Sequence, residues 1–580
     1  MLLTAQLISV SLSCADVQIQ QVVPDTTIAV ISTNNVADTI KHLQSAGVCD
    51  QMLEMCTTVG GESCFSDDAQ CTEMLYALGF EKETWTPPTG HAGFAVYPVV
   101  DYEIGSVGLG LFGIVELDDS LYGEFFSTQF DSLLQESEVE VESVNLSGRD
   151  VWMIQTDLEK LPQAPQWNFA SGAFDRVYIA YSDSTLMVGT DPDVIATALL
   201  GLDGEFEDDT LDTNKDFIAL RDRCGREGDV FAGVLLTNLA DTIVQMDQTG
   251  MAMMFLPSVK TLFGDVDGIA ESISIAPSSD VFIDARYSAL MNDGRSGILG
   301  LIGSNATQQP IPDFVQSEAL SYTQGQLDLD KFVDLVKDTV QSNPMLAMQM
   351  GSQMEQMEAG LALFFNPLGS RYHSFSSGQL PFDASTIGYL FAIECKDEEA
   401  FGNALSLTLP MSGAEETDFL GNQIFSINIG DLLPLPMPMS LEMSIAVGGG
   451  YAFLGTTNTV EDALRSVANP TNRKRIAPTN AAVSLIPHDD VSSWGYADMK
   501  KSLEIQTAMS NAMSEEMFEE MEAFDPEMAA EMRKEFEKQS EIQDAVTKVI
   551  TSLLGKMAWN MTADDTGIDA RVIMLNPNSE

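Results

Sequence analysis

Four cysteines crowd one stretch of the chain, Cys49, Cys56, Cys64 and Cys71, at steps of seven, eight and seven residues. The flanking segments 40–55 and 69–78 have helical character, with Gly60-Gly61 between them. A seven-residue step keeps two cysteines on one helix face but about 10.5 Å apart along the axis. Disulfide Cα atoms lie roughly 4.4–6.8 Å apart, so no bridge forms within one helix. An antiparallel hairpin instead sets Cys49 opposite Cys71 and Cys56 opposite Cys64, and those nested disulfides are the expectation. The metal alternative, a four-cysteine zinc site, lacks a C-x-x-C pair. Cys224 and Cys395 stand apart and read as buried free thiols.

A second constellation is Asp212, Asn214 and Asp216, oxygen donors at alternating positions of an acidic loop, the pattern calcium uses. An EF-hand would continue with Gly and then Glu, where Phe217 and Arg223 stand. The segment is a calcium candidate beside the plainer reading of a solvated acidic loop. Among 30 methionines, Met509, Met513, Met517 and Met521 step by four along one predicted helix. Met stripes pack helices together, offer pliable surfaces to varied apolar partners, or ligate Cu(I). Trp167 and Met437 lie in proline-bearing loops (161–167 and 433–439) suited to partner binding.

Other chemistry finds little footing. Gly108 to Gly113 fits G-x-G-x-x-G, but another strand follows where a nucleotide site needs a helix N-terminus. The four histidines, His42, His91, His373 and His488, show no metal-ligand spacing. Serine-nucleophile motifs are absent. A glycosidase-like carboxylate pair stays open, with 87 acidic residues and none singled out.

Those acids outnumber 28 basic residues, giving a formal charge of −59 over 580 residues. That balance argues against nucleic acid and against anionic membranes as partners. The longest later apolar run, 107–115, is far short of the roughly 18–20 residues of a membrane helix. Residues 1–15 (MLLTAQLISVSLSCA) read as a signal peptide without a basic n-region, cut before Asp16. Cys14 leaves a lipoprotein reading open. Disulfides and a signal segment together imply export, to periplasm or exterior.

The elements that would position these residues come twice. Ile283-Asp284-Ala285-Arg286 recurs as Ile568-Asp569-Ala570-Arg571. Segment 177–190 matches 444–456, 148–154 matches 421–426, 114–126 matches 392–405, and 259–275 matches 549–561, all in the same order. The implied plan is a tandem duplication. Residues 16–307 form a first α+β repeat carrying the cysteine-stapled hairpin at about 40–78. Residues 308–580 form a second, with a charged Met-rich helical insert at about 510–543. Each repeat reads as a mainly antiparallel sheet with helices packed on one face. Asn458 and Glu461 are expected to form a capping box at a helix start.

Val23-Pro24-Asp25-Thr26, the strand and helix after it, and hairpins ending Gly189-Thr190 and Gly455-Thr456 before a helix resemble a domain-of-unknown-function family of bacterial exported proteins. The second half departs from the opening motif with Pro312-Asp313-Phe314. The resemblance implies an exported α+β protein and carries over no catalytic residue. The functional expectation is a non-catalytic exported or envelope-associated binding protein for a macromolecule or an apolar ligand. The alternatives are an extracellular hydrolase using paired carboxylates and an acidic cation-binding surface protein.

Overall fold

The computed structural model describes residues 17–47, 90–101, 106–117, 119–130, 132, 141–155, 176–206, 209–225, 228–247, 249–306, 310–315, 319–351, 353–381, 386–428, 442–469 and 481–577. The signal segment with Cys14, the four clustered cysteines, Trp167 and Met437 lie outside these residues.

The first half opens with β1 (Ala29–Thr33) and α1 (Val36–Ser45). A hairpin of β2 (Ala92–Asp101) and β3 (Ser106–Glu116) precedes α2 (Asp119–Glu124). Two further hairpins are β4 (Val141–Leu146) with β5 (Arg149–Gln155) and β6 (Arg176–Ser182) with β7 (Thr185–Gly189). Then come α3 (Pro192–Leu202), α4 (Lys215–Cys224), β8 (Val230–Leu235), α5 (Leu236–Met246), α6 (Met251–Phe263), β9 (Gly268–Ile275) and β10 (Val281–Leu290).

The second half runs β11 (Ala319–Gln326), α7 (Asp330–Ser342), α8 (Pro344–Met350), α9 (Met354–Phe365), β12 (Leu368–Ser377), β13 (Gly388–Cys395) and α10 (Glu398–Thr408). Hairpins β14 (Glu415–Phe419) with β15 (Asn422–Asn428) and β16 (Glu442–Gly448) with β17 (Tyr451–Thr456) lead to α11 (Thr457–Ala468). The chain closes with β18 (Ser493–Asp498), α12 (Met499–Phe524), α13 (Pro526–Leu553), β19 (Lys556–Asp564) and β20 (Gly567–Leu575).

Among the described residues, all twenty strands join in one sheet. Followed through its pairings, the order is 4-5-6-7-3-2-1-8-9-10-20-19-18-11-12-13-17-16-15-14, antiparallel throughout. Read outward from the central β10–β20 pair, the two sides pass through their strands in the same sequence. At that pair Arg286 stands directly opposite Arg571, so the two Ile-Asp-Ala-Arg segments face each other.

Period-2 alternation sends one set of side chains to the helix-covered face. Tyr97, Phe112, Ile114 and Met187 pack there with Ile195, Ala198 and Leu199 of α3 and with Phe217 and Leu220 of α4. Tyr322, Phe375, Leu390 and Phe453 pack with Val460, Ala463 and Leu464 of α11 in the second half. The G-x-G-x-x-G glycines lie inside β3, and their role is space: a Cβ on Gly110 would come within 2.5 Å of the Tyr97 ring. Cys224 and Cys395 are buried thiols. The Met-rich insert forms α12 and α13, whose Phe518 and Phe536 rings meet edge-on at 5.3 Å. Met517 is exposed on it, while Met509, Met513 and Met521 are half-buried.

The hairpins β4–β5, β6–β7, β14–β15 and β16–β17 turn on Ser147-Gly148, Asp183-Ser184, Leu420-Gly421 and Gly449-Gly450, all with positive φ. Two residues with φ above zero make the type I′ turn that matches strand twist. Leu420, at φ 54° and 59% exposed, bears left-handed strain for little burial. Leu420→Asn is expected to stabilise the fold by about 1 kcal/mol, read as a higher midpoint in urea.

One sequence expectation fails at α11. Asn458 and Glu461 form no capping box, because β17 runs straight into the helix and Thr456 is its N-cap. Thr456 Oγ1 meets Thr459 Oγ1 at 2.7 Å, and Glu461 accepts from Arg465 at 2.9 Å.

Candidate functional site

The side chains opposite the packed core tell the two halves apart. An antiparallel sheet with one covered face ordinarily turns polar residues to the other. In the first half that second face is apolar. Ile31, Phe94, Val188, Ile269 and Tyr287 point from it and are 37–48% exposed. Cross-strand register places Ile31 beside Phe94 and Ala232, and Ala29 beside Val96 and Val234. Ile269 follows beside Ala289, which faces Ile568 across the junction.

All of these except Val188 line a groove of about 620 Å³ running over β2, β1, β8, β9, β10 and β20. A second depression of about 500 Å³, toward β3 and β7, shares Ile31 and Phe94 with it. Exposed apolar surface that is continuous over several strands makes this face the candidate binding face, unlike apolar residues scattered singly.

The groove's titratable groups are Tyr287 and Glu271, opposite each other in the β9–β10 register. Burial first, and then the hydrogen bond donated to the Glu271 carboxylate, push the Tyr287 phenol up to about 12. The site therefore offers a long apolar floor and one acceptor-rich end.

The same positions in the second half are built differently. Counting register outward from β10–β20, Ile31 corresponds to Thr323, Ala29 to Ser321, Phe94 to Ser374 and Val96 to Ser376. Ser321 and Ser376 join their hydroxyls at 2.6 Å. Glu271 corresponds to Trp559, whose ring lies so close over Gly495 that a Cβ there would sit 2.4 Å from it. Hydroxyls thus replace the apolar side chains of β1 and β2, and an indole replaces Glu271.

The other sequence candidates fall elsewhere. Asn214 is the N-cap of α4, accepting from Asp216 and Phe217 amides, and donates to the Asp25 carbonyl at 2.9 Å. Asp212 accepts from Thr210 at 2.6 Å, and Asp216 from Asn292 at 2.9 Å. No group of three or more His, Cys, Asp or Glu side chains placed to hold a metal occurs among the described residues. No described helix is long and apolar enough to cross a membrane.

His373 is buried among Tyr322, Phe314 and Tyr451 and shares a 2.9 Å hydrogen bond with the Tyr322 hydroxyl. Burial, with a smaller push from Arg371, lowers its pKa to about 4, so the ring is neutral near pH 7. With Gln324 and Trp494 it borders a cavity of about 30 Å³, room for one water. His373 is thus part of the buried polar core of the second half.

Sequence reasoning missed the groove because its residues alternate as an ordinary half-buried sheet does. The available signal was a comparison of the two halves: apolar residues at 29, 31, 94 and 96 against hydroxyl residues at 321, 323, 374 and 376. No family model, no curated protein and no solved structure matches this chain.

Proposed function

We propose that this protein is a non-catalytic exported binding protein, built by tandem duplication, whose first half holds an extended apolar ligand in the groove. The observation that carries the reading is the contiguous apolar face over β2, β1, β8 and β9, with Ile31 and Phe94 exposed at its β1–β2 end. Duplication is supported by the matching strand order on the two sides of β10–β20. Two copies of one sheet, of which the first carries apolar side chains where the second carries hydroxyls at the β1 and β2 positions, fit a division into a binding half and a supporting half.

The Glu271–Tyr287 end narrows the ligand class. A carboxylate head would meet the Glu271 charge in a poorly hydrated setting and be repelled. A hydroxyl or amine head can donate to it. The favoured ligand is a neutral or cationic amphiphile with a linear apolar tail.

An open groove covers about half of an alkyl chain. At ~0.8 kcal/mol for a fully buried methylene, each added methylene is worth ~0.4 kcal/mol, about a twofold gain in affinity. Titration calorimetry with octyl, decyl and dodecyl monoglycerides is expected to follow that slope. Dodecanoate is expected to bind more weakly than the dodecyl glyceride. Affinity independent of tail length, or stronger for the fatty acid, would refute the reading.

A further inference from the structure

The helix-covered face of the first half contains a second cavity, of about 330 Å³, between the N-terminal turn at Ile19–Gln21, α4, and the ends of β1, β8 and β9. Its character is the reverse of the groove's. Arg221, Gln18, Gln20, Asn34 and Ser272 supply its polar lining, and Phe217 and Phe231, meeting edge-on at 5.8 Å, supply an aromatic wall. The Arg221 guanidinium stacks on the Phe217 ring at 5.5 Å. Ser272 is 5% exposed and lines the cavity.

The charge around this cavity runs against the rest of the chain. Arg286 stands directly across from Ser272 in the β9–β10 register. It lies over Gly225, where a Cβ would come within 2.8 Å of its Nη1. Gly225, at φ 86°, thus leaves the space the guanidinium uses. The counterpart of Arg286 is Arg571, which is neutralised by Asp284 at 2.7 Å. The counterpart of Asp284 is Asp569, and Arg223 takes it at 2.9 Å. Arg286 is therefore left without an ion pair among the described residues. In a protein with 87 acids and 28 bases, an uncompensated arginine at a cavity rim is a selective feature.

The corresponding place in the second half is closed. Gln324 replaces Ser32 and Trp494 replaces Phe231 by register, and the space shrinks to about 30 Å³. The cavity is therefore particular to the first half.

We propose that this cavity binds a small carboxylate with an apolar body, its carboxylate held by Arg286 and Arg221 and its body against Phe217 and Phe231. Planar guanidinium forks match carboxylate geometry, and 330 Å³ is the small end of ligand-site volumes. The proposal is independent of the apolar groove on the other face.

The test is titration calorimetry on the full chain with 3-phenylpropionate, its neutral analogue 3-phenylpropanol, and inorganic phosphate at matched ionic strength. Saturable binding of 3-phenylpropionate alone is expected. Arg286→Glu, and separately Arg286→Gln, are expected to weaken it by about tenfold or more at an unchanged melting temperature. An Ile31→Asp, Phe94→Asp double variant is expected to leave it intact, which separates this site from the groove. No saturable binding, equal binding of the alcohol or of phosphate, or indifference to both Arg286 variants would overturn the proposal.

Discussion

An Ile31→Asp, Phe94→Asp chain is expected to fold normally and to bind a dodecyl glyceride at least about a hundredfold more weakly than the unaltered protein, a loss of ~2.7 kcal/mol. Ile31 and Phe94 sit side by side in the β1–β2 register, at the end of the groove that it shares with the second depression. A bound tail would cover both carboxylates, and desolvating a charge against hydrocarbon costs several kcal/mol. The fold should tolerate the change because the two side chains are 48% and 43% exposed. The cost of Asp in a strand is about 1 kcal/mol per site. Circular dichroism and urea unfolding check that part. The matched control is Thr323→Asp with Ser374→Asp, the corresponding pair in the second half, which should leave binding unchanged. If both double variants bind equally well, the groove is not the site.

The second large effect concerns acid stability. His373 has its pKa lowered to about 4 from 6.5 by burial. The unfolded chain therefore binds a proton at this residue between those values and the folded chain does not. The stability that neutral His373 contributes is fully present above pH 6.5 and is lost as pH falls toward 4. The size is on the order of 3 kcal/mol over that window. Comparison with His373→Gln isolates this loss from the titration of the many carboxylates, since both chains carry the same acids. Glutamine keeps an acceptor for the Tyr322 hydroxyl. The difference in unfolding free energy between the two chains should shrink by about that amount from pH 6.5 to 4. Imidazole carbon shifts in NMR give a direct check. A His373 ring that titrates near 6.5 would mean that it is hydrated rather than buried.

Local structure was largely legible in the sequence. The 36–45 helix and the β6–β7 hairpin turning at Asp183-Ser184 follow from an Asn cap, β-branched alternation and turn residues, all short-range effects. The repeated Ile-Asp-Ala-Arg segments marked the two halves, and the structure sets them across from each other. What stayed hidden depends on long-range placement. Period-2 alternation in β1 and β2 assigns Val30 and Ala95 to one face and Ile31 and Phe94 to the other. It does not say which face the helices cover. Nor does it say that β10 pairs with β20 to give one continuous sheet rather than two. The calcium candidate shows the same limit from the other side, since Asn214 carries a spacing that suits a metal and serves as a helix cap.

The most direct test is photolabelling with a neutral alkyl glyceride bearing a diazirine midway along its tail, followed by peptide mapping. Adducts should fall within β1, β2 and β9, on residues 29–33, 92–96 and 268–271, and should vanish in the Ile31→Asp, Phe94→Asp chain. The competing apolar surface is α6, where Met251, Met253, Phe255 and Phe263 are 39–69% exposed. Labelling concentrated on residues 251–263, or spread without saturation, would contradict an apolar binding groove on the first half of the sheet.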